Sequence, residues 1–163
     1  MFRLDLSKPV IGKASIDIDK SVDEVFSYVA EEFFENYPKW ALEVVEFKPI
    51  NNNKMAVGAL ARQTRIDQGQ KTESTFEIVA LQANELLELN GLSSPYRNSY
   101  HFQSIDNGKR TRLTFSFELL ELEVFMRPFE KLIRRAIEEG AQNSLENIKQ
   151  LLTAQVPESE AME

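Results

Sequence analysis

The sequence predicts an α+β domain in which a strand and two short helices precede an antiparallel meander and one long C-terminal helix. Three patterns predict it. Apolar and polar residues alternate in short segments set off by turn residues, the mark of half-buried strands. The segment "YRNSYHFQSIDNGKRTRLTFSFEL" alternates on both sides of Asn107-Gly108, a pair suited to the positive φ angles of a type I′ hairpin turn. From Pro128 onward, Phe129, Leu132, Ile133, Ala136, Ile137, Gly140, Ala141, Ser144, Leu145, Ile148, Leu151 and Leu152 recur at spacings of three and four, which is one face of a helix.

In chain order, "PVIGKASIDID" opens the first strand, alternating from Ile11 through Ala14, Ile16 and Ile18. In "SVDEVFSYVAEEF", Ser21 stands three residues before Glu24, a capping box that satisfies two orphan backbone donors at a helix start. Val22, Val25, Phe26, Val29 and Ala30 follow at helical spacing, and the helix is expected to end near Phe33. A second short helix is expected in "ENYPKW", capped by Asn36 with Pro38 in its first turn. "ALEVVEFKPI" then starts the meander and stops at Pro49 and the polar "NNNK". "ALARQTRID" after Gly58, "KTESTFEIVAL" after the turn "QGQ", and "NELLELNG" supply three further strands before the hairpin. A helix over 128–154 is roughly 40 Å long at 1.5 Å per residue, enough to cross a strongly curved sheet. "QVPESEAME" is expected to be an acidic, disordered tail over 155–163, outside a single domain of residues 1–154.

A chain of 163 residues fits one domain that buries a sizeable core. Hydrophobic residues at 42% and charged residues at 28% are globular usage and exclude a disordered chain. The absence of cysteine excludes a disulfide framework and a thiolate site. With His101 as the only histidine, a zinc site of the usual nitrogen and sulfur type is excluded too. The start "MFRLDLSKPVIG" has neither a secretory apolar region nor the length of a span, so a cytoplasmic protein without membrane insertion is expected. A net charge of −7 without a long basic run argues against nucleic acid as a partner. The glycines are scattered singly, so no phosphate-cradling loop is present, and no cofactor is expected.

Six motifs in order carry a resemblance. They are "IDIDKSVDEVFSYVA", Trp40 before "VVEF", "VGALARQTR", "ESTFEIVAL" with "ELLELNG", "YHFQSIDNGKRTRLTFSFEL", and a striped helix entered through "RPFEKLIRR". Together they resemble the helix-grip fold of the START and birch-pollen-allergen (SRPBCC) superfamily, in its bacterial polyketide cyclase/dehydrase-like branch, over roughly residues 9–153. The resemblance implies a seven-stranded curved antiparallel sheet wrapped around the long C-terminal helix, a cradle of two short helices, and an internal pocket. It also implies binding of an apolar or amphipathic small molecule such as a lipid, polyketide or isoprenoid, by a monomer or homodimer. Two alternatives stay open: a cyclase/dehydrase-type enzyme without metal, and a partner-docking protein of the coenzyme Q chaperone kind. The fold alone does not choose among them.

Within such a pocket the resemblance places Phe76, Ile78, Leu89, Tyr96, Tyr100, Phe102, Phe115 and Phe117 from the sheet and Phe129, Ile133 and Ile137 from the helix. Each is equally readable as plain core. Phe34 and Trp40, in "FFENYPKW", either edge the pocket or close the core. Tyr96, Asn98 and Tyr100 share one strand face by alternation, and with Arg62 they are the polar groups expected to orient a ligand. In the enzyme alternative the same tyrosines and Asn98 hold an enolate or carbonyl oxygen. His101 points to the opposite face. Glu31-Glu32, Glu121 with Glu123, and Glu138-Glu139 read as solvated surface charge.

Overall fold

The computed structural model describes residues 8–52 and 54–154; the expected tail lies outside the described residues. In chain order the elements are β1 (Val10–Ile18), α1 (Val22–Phe26), α2 (Phe33–Trp40), β2 (Val44–Pro49), β3 (Leu60–Asp67), β4 (Gln70–Gln82), β5 (Leu86–Gly91), β6 (Tyr96–Ile105), β7 (Arg110–Leu119) and α3 (Glu130–Thr153). The strands form one seven-stranded sheet in the order β1-β7-β6-β5-β4-β3-β2, with every pairing antiparallel. Because β1 and β2 are the two edges, the helices joining them must cross a face of the sheet. They do so with α1 against β6 and β7, and α2 against β2 and α3. This is the helix-grip architecture expected from the sequence.

Several local expectations shift. Ser21 does cap α1, its hydroxyl accepting from the Glu24 amide at 3.4 Å, but regular α-helix lasts five residues before a wider turn over Ser27–Glu31. The second helix begins at Phe33, not at Asn36. Asn36 is buried inside it and donates to the Tyr28 carbonyl at 2.9 Å, so it ties α2 to the preceding turn instead of starting a helix. Pro38 falls in the last turn, where the hydrogen bond it cannot donate is near the helix end. The hairpin loop is longer than a type I′ turn. Ile105 and Arg110 form the last strand pair, and Asp106, Asn107 and Gly108 between them all have positive φ. The C-terminal helix starts at Glu130, after a 3₁₀ turn over Val124–Phe129, and its 24 residues span about 36 Å.

The α2 helix fills the middle of the inner face. Its Phe33, Tyr37 and Trp40 are all nearly or fully buried. Phe33 stacks on Tyr37 with centroids 4.7 Å apart and meets Tyr100 at 6.1 Å and Phe76 at 6.2 Å, both in edge-on geometry. Each such ring pair adds about 0.5–1.5 kcal/mol beyond the area it buries. Asn147 of α3 donates to the Trp40 carbonyl at 3.0 Å and fixes the two helices together.

Strand β1 turns Val10 and Gly12 inward, not Ile11, and Gly12 sits opposite Phe117 of β7. A Cβ on Gly12 would collide with the Ile137 side chain and come within 3.1 Å of the Glu138 amide nitrogen. The missing side chain therefore lets α3 lie directly on the edge strand. Replacing Gly12→Ala is expected to push the two apart and destabilise the protein by about 1–3 kcal/mol. Urea denaturation of the variant beside the wild type measures this, and an unchanged midpoint would contradict the contact.

Candidate functional site

Alternation along β6 buries Tyr96, Asn98, Tyr100 and Phe102 on the inner face and leaves His101 exposed on the outer one. Gly91 of β5 leaves room that the Tyr96 ring occupies. That ring stacks on Phe117 of β7 with centroids 5.7 Å apart and planes 10° apart.

The Tyr96 hydroxyl belongs to a polar cluster contributed by four elements. Gln63 of β3 donates to Tyr96 at 3.3 Å and to Ser74 of β4 at 3.3 Å, while its carbonyl oxygen accepts from Tyr37 of α2 at 2.9 Å. Ser74 and Tyr96 are themselves 3.3 Å apart. Arg65 donates to the Tyr37 hydroxyl at 3.4 Å from the rim, where it also meets Asp67 at 3.2 Å and Glu43 at 3.7 Å. Burial alone would lower the Arg65 pKa, but Tyr37, Asp67 and Glu43 outweigh it, and the net direction is upward. Burial also pushes Tyr37 up to about 12, with Arg65 opposing, and raises Tyr100, whose oxygen accepts from Trp40 Nε1 at 3.4 Å. Both phenols are held protonated at neutral pH.

Asn98 stands between the two tyrosines. Its register partners are Leu89 on β5 and Phe117 on β7. It is 6% exposed, and its Oδ1 has no hydrogen-bond partner. Leaving a buried polar atom unpaired costs about 1–3 kcal/mol.

The long helix covers this region incompletely. Its C-terminal half buries Ala141, Leu145, Ile148 and Leu152. In its N-terminal half Ile133 and Ile137 are only half-buried, and Leu132 is exposed. Tyr96, Asn98 and Phe117 meet at one end of the sheet, and Ile137 lies on Gly12, the register partner of Phe117, with Ile133 one turn earlier along α3.

Other expected site residues lie elsewhere. Trp40, Phe76, Ile78, Leu89, Tyr100, Phe102 and Phe115 are core residues between 0% and 8% exposed; Phe33 of α2 covers Phe76 and Tyr100, and Phe26 of α1 covers Phe102. Phe34 packs on Phe47 of β2 at 5.8 Å, away from β6. Phe129 ends the 3₁₀ turn and is half exposed, so it does not line the interior. Arg62 is exposed, beside a depression of about 110 Å³ shared with Glu46, Lys48, Thr64 and Glu73. The pairing of β3 with β4 is continuous, so Ala61, Gln63 and Arg65 take the inner face and Arg62 the outer. Gln63 and Ser74 were missed for that reason, although the phase of Ala59 and Ala61 points to Gln63. A cleft of about 500 Å³ between α2 and the end of α3 is lined by Tyr28, Lys39, Leu42, Asn147, Gln150, Leu151 and Ala154, none of them expected at a site.

Among the described residues no cluster of three His, Cys, Asp or Glu side chains could hold a metal ion, and no helix is long and apolar enough to cross a membrane. Residues 10–153 match the family described as polyketide cyclase / dehydrase and lipid transport, and the chain belongs to that family. No curated protein matches it. Its fold is similar to that of a START superfamily protein from Mycobacterium smegmatis, with a TM-score of 0.73 at 12% identity over 90% of this chain and 99% of that one. It is similar to the aromatase/cyclase Zhui of a Streptomyces strain, with a TM-score of 0.72 at 10% identity over 90% and 94%. Truncated norcoclaurine synthase from Thalictrum flavum is also similar, with a TM-score of 0.70 at 12% identity over 93% and 98%. At these identities the likeness is one of fold.

The raised phenol pKa values carry a pH dependence. Tyr37 ionises at 10.0 when unperturbed and near 12 in the folded protein, so its contribution to stability is full below pH 10 and is lost as pH rises towards 12. Alkaline denaturation should begin in that window. Absorbance titration should show Tyr37 and Tyr100 ionising only with unfolding, whereas their titration in the folded protein would contradict the burial.

Proposed function

We propose that this member of the polyketide cyclase / dehydrase and lipid transport family binds an amphipathic small molecule without transforming it, under the N-terminal half of α3. The observation that carries the reading is the uneven burial of that helix. An apolar stripe that had fully closed on the sheet would be buried from end to end, yet only the part from Ala141 onward is. Ile133 and Ile137 face the same side and stay half-buried. Burying that surface under a ligand is favourable by about 25 cal/mol per Å² of apolar area.

The place follows from what fills the rest. Phe33, Tyr37 and Trp40 occupy the middle of the inner face, so the ligand lies at the end formed by Tyr96, Asn98 and Phe117. A mostly apolar surface with a few convergent polar groups is the usual small-molecule site. The polar groups in reach are an amide and protonated phenols, which orient a molecule but do not abstract a proton at neutral pH.

Binding is expected to be measurable with an environment-sensitive apolar dye and to raise the melting temperature at saturating ligand. Ile133→Asp should weaken dye binding by at least about tenfold, because it puts a carboxylate against the ligand, while changing stability by less than about 1 kcal/mol. Arg62→Ala, on the outer face, should leave binding unchanged. Equal dye affinity in wild type and Ile133→Asp would sink the placement.

A further inference from the structure

We infer that the turn into α3 is a docking surface for an anionic lipid bilayer, held at headgroup level by exposed aromatic and aliphatic side chains and by the cations beside them. The inference does not depend on the ligand reading above.

Three observations support it. The first is clustering. Of the nine large apolar side chains that the described residues expose, four fall within nine consecutive positions: Val124, Phe125, Phe129 and Leu132, between 50% and 68% exposed. Phe125 and Phe129 are also the only exposed aromatic side chains among the described residues. The second is charge. Residues 124–135 carry Arg127, Lys131, Arg134 and Arg135 against Glu130 alone, a net +3 in a chain whose total is −7. Arg127 and Arg134 both meet Glu130, at 2.8 Å and 3.4 Å, whereas Lys131 and Arg135 are exposed and form no ion pair among the described residues. Lys131 adjoins Leu132 and Arg135 stands about one turn after it, so their apolar stems can lie along the patch while their charges reach lipid headgroups. Glu121 and Glu123 precede the segment and Glu138 and Glu139 follow it, which confines the positive surface to the segment itself. The third is shape. Neither depression described above is lined by this segment. A fluid bilayer accepts projecting side chains without a complementary pocket, whereas a protein partner needs matched shape. A second copy paired through the same face would set these cations against their own copies.

Flotation of the full-length protein with vesicles tests this, using phosphatidylcholine alone and phosphatidylcholine mixed about 2:1 with the anionic phosphatidylglycerol. The expected result is binding at least about tenfold tighter to the anionic vesicles, weakening as salt is raised. Phe125→Ser combined with Leu132→Ser should lower binding to the anionic vesicles at least about tenfold at an unchanged melting temperature, since both side chains are exposed. Lys131→Glu combined with Arg135→Glu should remove the preference for anionic vesicles. Val57→Ser, at an apolar side chain 63% exposed outside the segment, should change nothing. The wild-type comparison of the two vesicles, with its salt dependence, is decisive whether or not the variants fold. Absence of binding, equal binding to both vesicles, or a charge-reversed variant that keeps the wild-type preference overturns the inference. So does a concentration-dependent dimer in place of vesicle binding, abolished by the Phe125→Ser and Leu132→Ser changes, because it assigns the face to a second copy.

Discussion

The structure depends on one wedge. Phe33, Tyr37 and Trp40 project from a single eight-residue helix into the inner face of the sheet, where Phe33 meets both Phe76 and Tyr100. The two edge strands of the sheet are consecutive in sequence, and the chain between them must pass over that face. Aromatic bulk on this crossing segment makes the passage favourable, because rings on α2 bury area against aromatic side chains of β2, β4 and β6. The same segment then places the Tyr37 hydroxyl against Gln63 and the Trp40 carbonyl against Asn147 of α3. Sheet, short helix and long helix are thereby fixed relative to one another.

That wedge also decides how the interior is filled. In a grip of helix by sheet, the interior is divided between side chains and whatever else binds. Here α2 takes the deep share, and the polar cluster around Tyr96 and Gln63 takes the boundary. Beyond them the N-terminal half of α3 rests on Gly12 through Ile137 and leaves Ile133 and Ile137 only half-buried.

The polar groups on the inner face are neutral phenols and amides, with Arg65 at their rim. Burial raises the Tyr37 and Tyr100 pKa values, and Arg65 is engaged by acids at the rim. The Asn98 amide stands apart from this network although it shares a strand face with both tyrosines. A hydrogen-bonding group kept buried without a partner is costly in a core.

Much of the fold was legible in the sequence because it depends on local periodicity. Alternation from Ala14 to Ile18 and from Leu113 to Leu119, the Ser21 cap, and the spacing from Leu145 to Leu152 each specify an element and the face it buries. The same alternation assigned Asn98 to the inner face and His101 to the outer one. Arg62, a candidate from the sequence, faces outward on β3, and Ala59 and Ala61 already set the phase that turns Gln63 inward. Which inner-face residues are core and which border a site was not legible, since period-two alternation says that a side chain faces inward but not what lies above it. Phe76, Tyr96 and Phe117 look alike in sequence. Only the tertiary structure lays α2 over Phe76 and leaves the thinly covered end of α3 to Phe117, because coverage is set by elements that are distant in the chain and close only once it has folded.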